Sequence, residues 1–262
     1  MTTSLEVLFS PAEFNALAQR DLTQTVCVVF DVLRATTSMI TALANGAEAI
    51  LPVAEISEAL AAKRRLPTAL LAGEREGIRI RAAQTGSLDF DLGNSPREFT
   101  ADKVKGRTIV TTTTNGTRAL RAAGAAKAVL IGSFLNLRAT ADWLRQEAPP
   151  HLLIVCAGTL DQAAYEDTLA AGALCDALWP TYASGEIADS AFMARELCRQ
   201  RHRDLLEAFR HSRNGRRLLA KSELADDLAV CAQRDTLTIL AALCRDGLVR
   251  TVTPLASGGT PS

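Results

Sequence analysis

The stretch TVCVVFDVLRATTSMITALANG, residues 25–46, contains a strand and a helix with a polar junction between them. Residues 25–32 are largely a continuous apolar run, a pattern typical of a strand covered on both faces. Residues 35–46 have helical periodicity, and the closing Asn–Gly pair is a strong helix stop. An acid, Asp31, and a base, Arg34, therefore lie where a buried strand leads into a helix.

The same alternation of strand and helix continues along the chain. Strands are predicted at 48–53, 68–73, 107–114, 126–133 and 151–158, and helices at 56–66, 115–124 and from near 136. After about residue 163 the pattern is mostly helical, in 166–178, 189–200 and 224–243. Strands that alternate with helices favour right-handed crossovers in a parallel sheet. We therefore predict a three-layer α/β/α fold with a mainly parallel sheet and a helix-rich C-terminal third.

The length of 262 residues suits one large domain or two closely joined lobes. We interpret residues 1–252 as a single domain. Its two candidate lobes would meet near 74–106, which begins with a polar stretch of little periodicity. Residues 253–262, TPLASGGTPS, have the composition of a disordered tail.

Composition and charge exclude several classes of protein. Lys and Arg together number 29, as do Asp and Glu, so bulk charge predicts neither nucleic-acid nor membrane-surface binding. The basic segment 195–217 is interleaved with acids and is interpreted as a solvated helical face. No apolar run approaches the roughly 18 residues that span a bilayer. Six cysteines without a CxxC pair indicate free thiols in a reducing compartment, so we predict a cytoplasmic protein.

Chemically active side chains follow four of the predicted strands. They are Asp31, Arg34, Thr36 and Thr37 after the first, Glu74 and Arg75 after the third, 111–117 at the fourth, and Glu166 and Asp167 beyond the sixth. Parallel strands present their carboxyl ends at one edge of the sheet, where ligands bind. We therefore predict that these side chains converge in one crevice.

Two segments offer places for an anion. In TTTTNGT, residues 111–117, hydroxyl groups and an Asn–Gly turn open a helix whose free N–H groups favour a phosphate. The alternative is a threonine-rich strand that ends in an ordinary helix cap. In LGNSPREF, residues 92–99, Asn94 or Ser95 has the same two interpretations, and a capping box explains the whole segment.

Asp31, Glu74, Glu166 and Asp167 would repel one another in a shared crevice unless a proton or a cation separated them. Hard oxygen ligands of this kind suit Mg²⁺ rather than zinc, and the three histidines show no zinc-ligand spacing. The guanidinium groups of the neighbouring arginines match phosphate or sulfonate oxygens. These components indicate phosphoryl transfer to water. GxGxxG, GxxxxGK(S/T) and GxSxG motifs are absent, which disfavours dinucleotide, P-loop and nucleophile-elbow sites.

Seven short segments, taken in order, resemble the 2-phosphosulfolactate phosphatase family. They are DVLRATTSMITALANGA (31–47), LAGEREG (71–77), FDLGNSPREF (90–99), TTTNGTRAL (112–120), GSFLN (132–136), CAG (156–158) and EDTLAAG (166–172). A weaker resemblance continues through SRNGRRL (212–218) and DLAVCAQRD (227–235). The resemblance implies a magnesium-dependent phosphatase that converts 2-phospho-3-sulfolactate to 3-sulfolactate and phosphate, a step of coenzyme M biosynthesis in methanogens. The segment before LGNSP departs from the family pattern and carries two extra basic residues, Arg79 and Arg81.

The positions that match the family form the candidate site. The candidate catalytic residues are Asp31, Arg34, Glu74 and Arg75. The candidate phosphate-binding residues are Asn94, Ser95, Thr114, Asn115, Gly116 and Thr117, with Arg118 and the more distant Arg213 as additional cations. The candidate magnesium ligands are Asp31, Glu74, Glu166 and Asp167. Asp31 would hold the metal or attack phosphorus directly, and the sequence leaves both routes open.

Two other functions fit parts of this pattern. A phosphatase for another small phosphorylated hydroxy acid would keep the site and change the pocket. A non-catalytic protein that binds anionic metabolites would gain nothing from several carboxylates beside the anion. In each case the expected partner is a small anionic molecule. The apolar segments around Ala229 and Leu240 are interpreted either as core or as a homodimer contact.

Overall fold

The computed structural model describes residues 2–201 and 203–252. The predicted tail at 253–262 lies outside the described residues. Within the described ranges, the chain forms an eleven-stranded sheet with helices on both sides, which confirms the three-layer α/β/α prediction. No helix in these ranges is both long enough and apolar enough to cross a membrane.

The strands are β1 (Ser4–Leu8), β2 (Thr25–Phe30), β3 (Ala49–Pro52), β4 (Leu70–Arg75), β5 (Ile78–Arg79), β6 (Thr108–Thr112), β7 (Ala128–Gly132), β8 (His151–Cys156), β9 (Glu186–Ile187), β10 (Leu240–Leu243) and β11 (Val249–Val252). The α-helices are α1 (Pro11–Asn15), α2 (Ala35–Ala44), α3 (Ile56–Arg65), α4 (Ala82–Thr85), α5 (Ala101–Val104), α6 (Gly116–Ala122), α7 (Leu137–Glu147), α8 (Tyr165–Tyr182), α9 (Asp189–Arg201), α10 (Leu205–His211), α11 (Arg213–Leu219) and α12 (Asp227–Cys231). Short 3-10 helices occur at Ala16–Gln19, Pro96–Glu98 and Phe134–Asn136.

The sheet has two parallel halves joined by the C-terminal hairpin. Its order is β5-β4-β6-β3-β11-β10-β7-β2-β8-β1-β9. Strands β3, β4 and β6 pair in parallel, as do β1, β2, β7, β8 and β9. Among the named strands of the described ranges, antiparallel pairs involve only the two hairpins, β4–β5 and β10–β11. The stretch 74–106 connects the neighbouring strands β4 and β6, and the division into lobes there stays a prediction.

Strand β2 shows why the continuous apolar run predicts burial on both faces. Val26, Val28 and Phe30 belong to the core cluster that contains side chains of α7 and α8. The alternate residues Cys27 and Val29 belong to the opposite cluster, which contains side chains of α2 and α6. Because successive side chains of a strand point to opposite faces, a strand between two helical layers must be apolar at every position.

The C-terminal third differs from the sequence prediction in one place. The prediction of mostly helix at 224–243 is wrong at its end, because only Asp227–Cys231 is α-helical there and Leu240–Leu243 is strand β10. A short apolar run such as LAAL fits a strand or a helix, and pairing with β7 and β11 decides between them. Leu240 is 3% exposed, so it packs in the core. Strand β1, which pairs with β8 and β9, was not predicted from the sequence.

Candidate active site

The candidate site lies at the carboxyl ends of strands from both halves of the sheet. Three antiparallel pairings separate β3 from β7, so the two halves run in opposite directions, and the prediction that these ends share one edge is wrong. Asp31 follows β2, Glu74 lies near the end of β4, and the turn at 113–116 follows β6. Strands β6 and β2 are five strand spacings apart, about 24 Å in a flat sheet. Their ends nevertheless meet, because a Cβ added at Gly116 would lie 2.7 Å from Asp31 Oδ2. The sheet therefore curls enough to bring both loops to one place.

Asp31 joins β2 to helix α2 with one carboxylate oxygen and presents the other to the site. Its Oδ1 accepts a hydrogen bond from the Ala35 N–H at 3.1 Å. Within the described ranges, no residue donates a hydrogen bond to Asp31 Oδ2. Burial, followed by the charges of Glu74 and Glu166, raises the pKa of Asp31 to about 7, although the Ala35 N–H opposes the shift. Asp31 can therefore cap helix α2 with Oδ1 and still serve the candidate site with Oδ2.

Glu166 and Asp167 open helix α8 and are almost fully buried, with 1% and 2% exposure. Asp167 accepts the Val32 N–H at 2.8 Å on Oδ1 and the Gly158 N–H at 3.2 Å on Oδ2. Burial raises the pKa of Asp167, and the charges of Asp31 and Glu166 raise it further. Burial also raises the pKa of Glu166. These carboxyl groups therefore form one acidic cluster with Asp31.

Glu74 connects the β4–β5 hairpin to the turn after β6. Its Oε1 accepts both the N–H and the hydroxyl of Thr114, at 3.0 Å and 2.9 Å. Its Oε2 accepts the Gly77 N–H at 2.7 Å. The Thr117 hydroxyl also donates within the protein, to the Thr113 carbonyl. Thr114 and Thr117 thus shape the predicted phosphate loop through contacts inside the protein.

Both arginines among the candidate catalytic residues are held by acceptors of the protein. Arg34 Nη1 lies 2.7 Å from Asp227 Oδ2, and Arg34 Nη2 donates to the Gly77 carbonyl at 2.8 Å. Arg75 Nη1 donates to the carbonyl of Glu74, and Arg75 Nη2 donates to the Thr112 hydroxyl. The sequence indicates positively charged groups at these positions. Apart from the contact of Arg75 with the adjacent Glu74 carbonyl, these hydrogen bonds join residues far apart in sequence and have no sequence signature.

Two more exposed cations lie beside the turn that follows β8. Arg118, with 43% side-chain exposure, is 4.0 Å from Asp161 Oδ1. Arg213 donates to the side chain of Gln162, in the same turn. The extra basic residues of the segment before LGNSP form salt bridges with other acids. Arg79 pairs with Glu98, and Arg81 pairs with Asp89. Arg118 is therefore the candidate cation with the weakest internal pairing.

Asn94 and Ser95 are tied to other parts of the site through their loop. The Ser38 hydroxyl donates to the Asn94 carbonyl at 2.8 Å. The Ser95 hydroxyl donates to Asp227 Oδ1 at 2.6 Å and does not cap the 3-10 helix that follows. The capping-box interpretation of Ser95 is therefore wrong, because a buried carboxylate from a distant helix takes its hydroxyl.

Sequence reasoning missed two residues that touch the predicted site. Asp227 contacts Arg34 and Ser95, and Asn214 Nδ2 donates to Glu166 Oε1 at 2.6 Å. Asn214 and Asp227 lie in segments 212–218 and 227–235, where the family resemblance is weaker. That resemblance was the signal in the sequence that could have identified them.

The donor chemistry of the acidic cluster fits a hard divalent cation, because buried carboxylates that repel one another gain from a positive charge between them. In residues 2–201 and 203–252, however, no three His, Cys, Asp or Glu side chains are arranged to hold a metal ion. Most carboxylate oxygens already accept hydrogen bonds, as in Asp167 and Glu74. Mg²⁺ commonly takes one or two carboxylates and keeps water and substrate phosphate as its other ligands. The cluster fits that mode, with Asp31 Oδ2 as one oxygen that accepts no hydrogen bond from the described residues.

Comparison with known proteins gives a consistent result over most of the chain. Residues 13–246 match the family model described as 2-phosphosulpholactate phosphatase. A protein of Pseudothermotoga lettingae, named "Probable 2-phosphosulfolactate phosphatase", is 38% identical over 247 residues, which are 94% of this chain and 98% of that protein. A protein of Symbiobacterium thermophilum with the same name is 43% identical over 231 residues, 86% and 94% of the two chains.

Proposed function

The chain belongs to the 2-phosphosulpholactate phosphatase family, and we propose from this premise that it hydrolyses 2-phospho-3-sulfolactate to 3-sulfolactate and phosphate at the acidic cluster. The observation that carries the proposal is the contact between two distant strand ends, where Gly116 meets Asp31 Oδ2. This proximity supports the proposal, because the turn with the candidate phosphate-binding residues lies next to Asp31 Oδ2.

The charges around the cluster support a small substrate with several negative charges. Phosphate, sulfonate and carboxylate groups require local positive charge, since the chain has zero formal net charge. Arg118 and Arg213 provide exposed guanidinium groups near the cluster, and Arg34 provides a buried one. Guanidinium groups match the oxygens of all three anions.

We propose Mg²⁺ as the cofactor, held by Asp31 together with Glu166 or Asp167. When bound, it would neutralise charge on the phosphate oxygens and offset the repulsion within the cluster. The cytoplasmic location and a place in coenzyme M biosynthesis are finer parts of the same proposal and rest on the family resemblance and the thiol pattern.

The residues of the chain supply the proton transfers and the orientation. Asp31, with a pKa near 7, changes its protonation state close to neutral pH. Glu166 is buried beside it and would accept the proton of an attacking water as the ester P–O bond breaks. The leaving alcohol oxygen would take up a proton from solvent. In the alternative route, Asp31 Oδ2 itself forms the bond to phosphorus as the ester P–O bond breaks and the alcohol leaves with a proton from solvent. Water then hydrolyses the aspartyl phosphate and releases phosphate. Asn214 holds Glu166 in place in either route.

The test is phosphate release from 2-phospho-3-sulfolactate with Mg²⁺ and after chelation. Asp31→Asn should lower turnover at least about a hundredfold, the scale for losing a catalytic group. Asp246→Asn, on the β10–β11 turn beyond the amino end of β7, is the control and should keep wild-type turnover. Near-normal turnover of folded Asp31→Asn would remove Asp31 from the mechanism.

A panel of phosphate esters separates this function from its alternatives. Phospholactate and phosphoglycolate lack the sulfonate, so their kcat/KM should be lower if the site recognises that group. Equal kcat/KM values would favour a phosphatase for another hydroxy acid. Tight binding of these anions without phosphate release under any divalent metal would favour a binding protein.

A further inference from the structure

Asp227 is a fully buried carboxylate on helix α12 that contacts two loops of the candidate site. Its Oδ2 lies 2.7 Å from Arg34 Nη1, in the loop after β2. Its Oδ1 accepts the Ser95 hydroxyl at 2.6 Å, in the loop before the Pro96–Glu98 turn. One side chain from the C-terminal third of the chain therefore joins two loops that are about sixty residues apart in sequence.

The contact to Arg34 is the first link of a continuous hydrogen-bonded chain. Arg34 Nη2 donates to the Gly77 carbonyl at 2.8 Å, and the Gly77 N–H donates to Glu74 Oε2 at 2.7 Å. Glu74 Oε1 then accepts the N–H and hydroxyl of Thr114. The chain of contacts runs from α12 to the phosphate loop without a gap.

The tip of the β4–β5 hairpin and the loop of Asn94 and Ser95 each have another hydrogen bond that does not involve Asp227. The Lys221 ammonium donates to the Glu76 carbonyl at 2.6 Å, next to Gly77 at the tip of the hairpin. The Ser38 hydroxyl donates to the Asn94 carbonyl, next to Ser95. Loss of Asp227 would therefore loosen both loops without releasing either from the protein.

We infer that Asp227 is a positioning residue for the phosphatase reaction, acting through Arg34 on the hairpin tip and through Ser95 on the adjacent loop. This inference rests on the proposed function. A buried ion pair stabilises little relative to an apolar pair, but loss of one partner leaves the other charge unpaired and free to reorient. Displacement of reacting groups by about 1 Å can cost a hundredfold in rate, so a distant anchor has catalytic consequences.

Kinetics of Asp227→Asn test the inference. Asparagine keeps the size and removes the charge that holds Arg34, so kcat should fall about tenfold to a hundredfold while KM changes much less. The matched control is Asp226→Asn, because Asp226 is the adjacent carboxylate, 79% exposed and 3.7 Å from Arg97. Asp226→Asn should keep the wild-type kcat. Equal kcat values for the two folded variants would overturn the inference.

Amide hydrogen exchange provides a readout that does not depend on activity. The N–H groups of Gly77 and Thr114 both donate to Glu74, so Asp227→Asn should speed their exchange and Asp226→Asn should not. Unchanged exchange at both amides would also overturn the inference. If the wild-type protein releases no phosphate from 2-phospho-3-sulfolactate, the proposed function fails, and the exchange result alone decides the role of Asp227.

A second variant covers the case in which Asp227→Asn does not fold. Arg34→Lys keeps a positive charge beside Asp227. The single ammonium group of lysine cannot replace the two guanidinium nitrogens of Arg34, which donate separately to Asp227 and to the Gly77 carbonyl. The variant should speed exchange of the Gly77 and Thr114 amides in the same way. Wild-type exchange in folded Arg34→Lys would show that the chain of contacts does not hold the hairpin.

Discussion

A single oxygen of Glu74, Oε1, accepts both the backbone N–H and the hydroxyl of Thr114. The other oxygen of Glu74 accepts the Gly77 N–H. Three donors therefore converge on one carboxylate that is 8% exposed, and this carboxylate sets the distance between the β4–β5 hairpin and the loop after β6.

Glu74→Gln should lower kcat about tenfold or more, because the amide NH₂ group of glutamine would face either the Gly77 N–H or the Thr114 donors. Glu76→Gln is the control, since Glu76 is exposed at the tip of the same hairpin. Steady-state phosphate release measures kcat of both variants. A kcat for Glu74→Gln within twofold of the control would show that this carboxylate is not needed to hold the loop.

Gly116→Ala should reduce turnover and leave most of the fold intact. The added Cβ would lie 2.7 Å from both Asp31 Oδ2 and the Ala35 side chain, so Asp31 or helix α6 must move. A loss of about tenfold to a hundredfold in kcat/KM is expected from such a displacement. Gly124→Ala, beyond the other end of α6, is the control, because its closest new contact is 3.1 Å. Full activity of Gly116→Ala would contradict the tight contact.

Asp31 should make the metal-free protein less stable as the pH rises. Its pKa is about 7 in the folded protein and about 4 when unfolded, so folding favours the neutral form. The stabilising contribution is fully present below about pH 4 and is lost as the pH passes 7. Asp31→Asn, neutral throughout, should therefore raise the free energy of unfolding by about 1 to 3 kcal/mol at pH 8, and by less at pH 5. Urea unfolding of both proteins at the two pH values measures this change in the free energy of unfolding. A larger stabilisation by Asp31→Asn at pH 5 than at pH 8 would contradict the prediction.

Magnesium should stabilise the wild-type protein through the acidic cluster. A ligand present at about ten to a hundred times its Kd adds about 1.4 to 2.7 kcal/mol to the free energy of unfolding. The expected rise in Tm is several degrees for a chain of this size. Asp31→Asn should lose most of this rise, whereas Asp246→Asn should keep it. An equal rise in Tm for the wild-type protein, Asp31→Asn and Asp246→Asn would show that magnesium binds outside the acidic cluster.

The features that the sequence predicted best are those set by local pattern. Strand β2 and helix α2 are visible because the apolar run is continuous and the Asn–Gly pair ends the helix. Asp31 and Gly116 are visible as chemically unusual residues at strand ends. The run LAAL at 240–243 was misassigned because its length and composition fit both kinds of element, and only its neighbours in the sheet decide.

The pairing of the functional side chains could not be predicted from the sequence. Arg34 and Asp227 are separated by 193 positions, and no periodicity connects them. The sequence predicts positively charged groups at Arg34 and Arg75, but it does not predict that internal acceptors occupy both. Asn214 and Asp227 were missed for the same reason, since their importance arises from contacts with distant loops.

The position of β10 and β11 has a consequence for biosynthesis. This hairpin separates β3 from β7, so the last described residues to leave the ribosome bridge two halves that are made much earlier. Nascent chains shorter than about 240 residues expose two unfinished sheet edges, which are sites for aggregation until the hairpin inserts. Premature termination near the C-terminus should therefore damage the protein far more than the small number of lost residues would suggest.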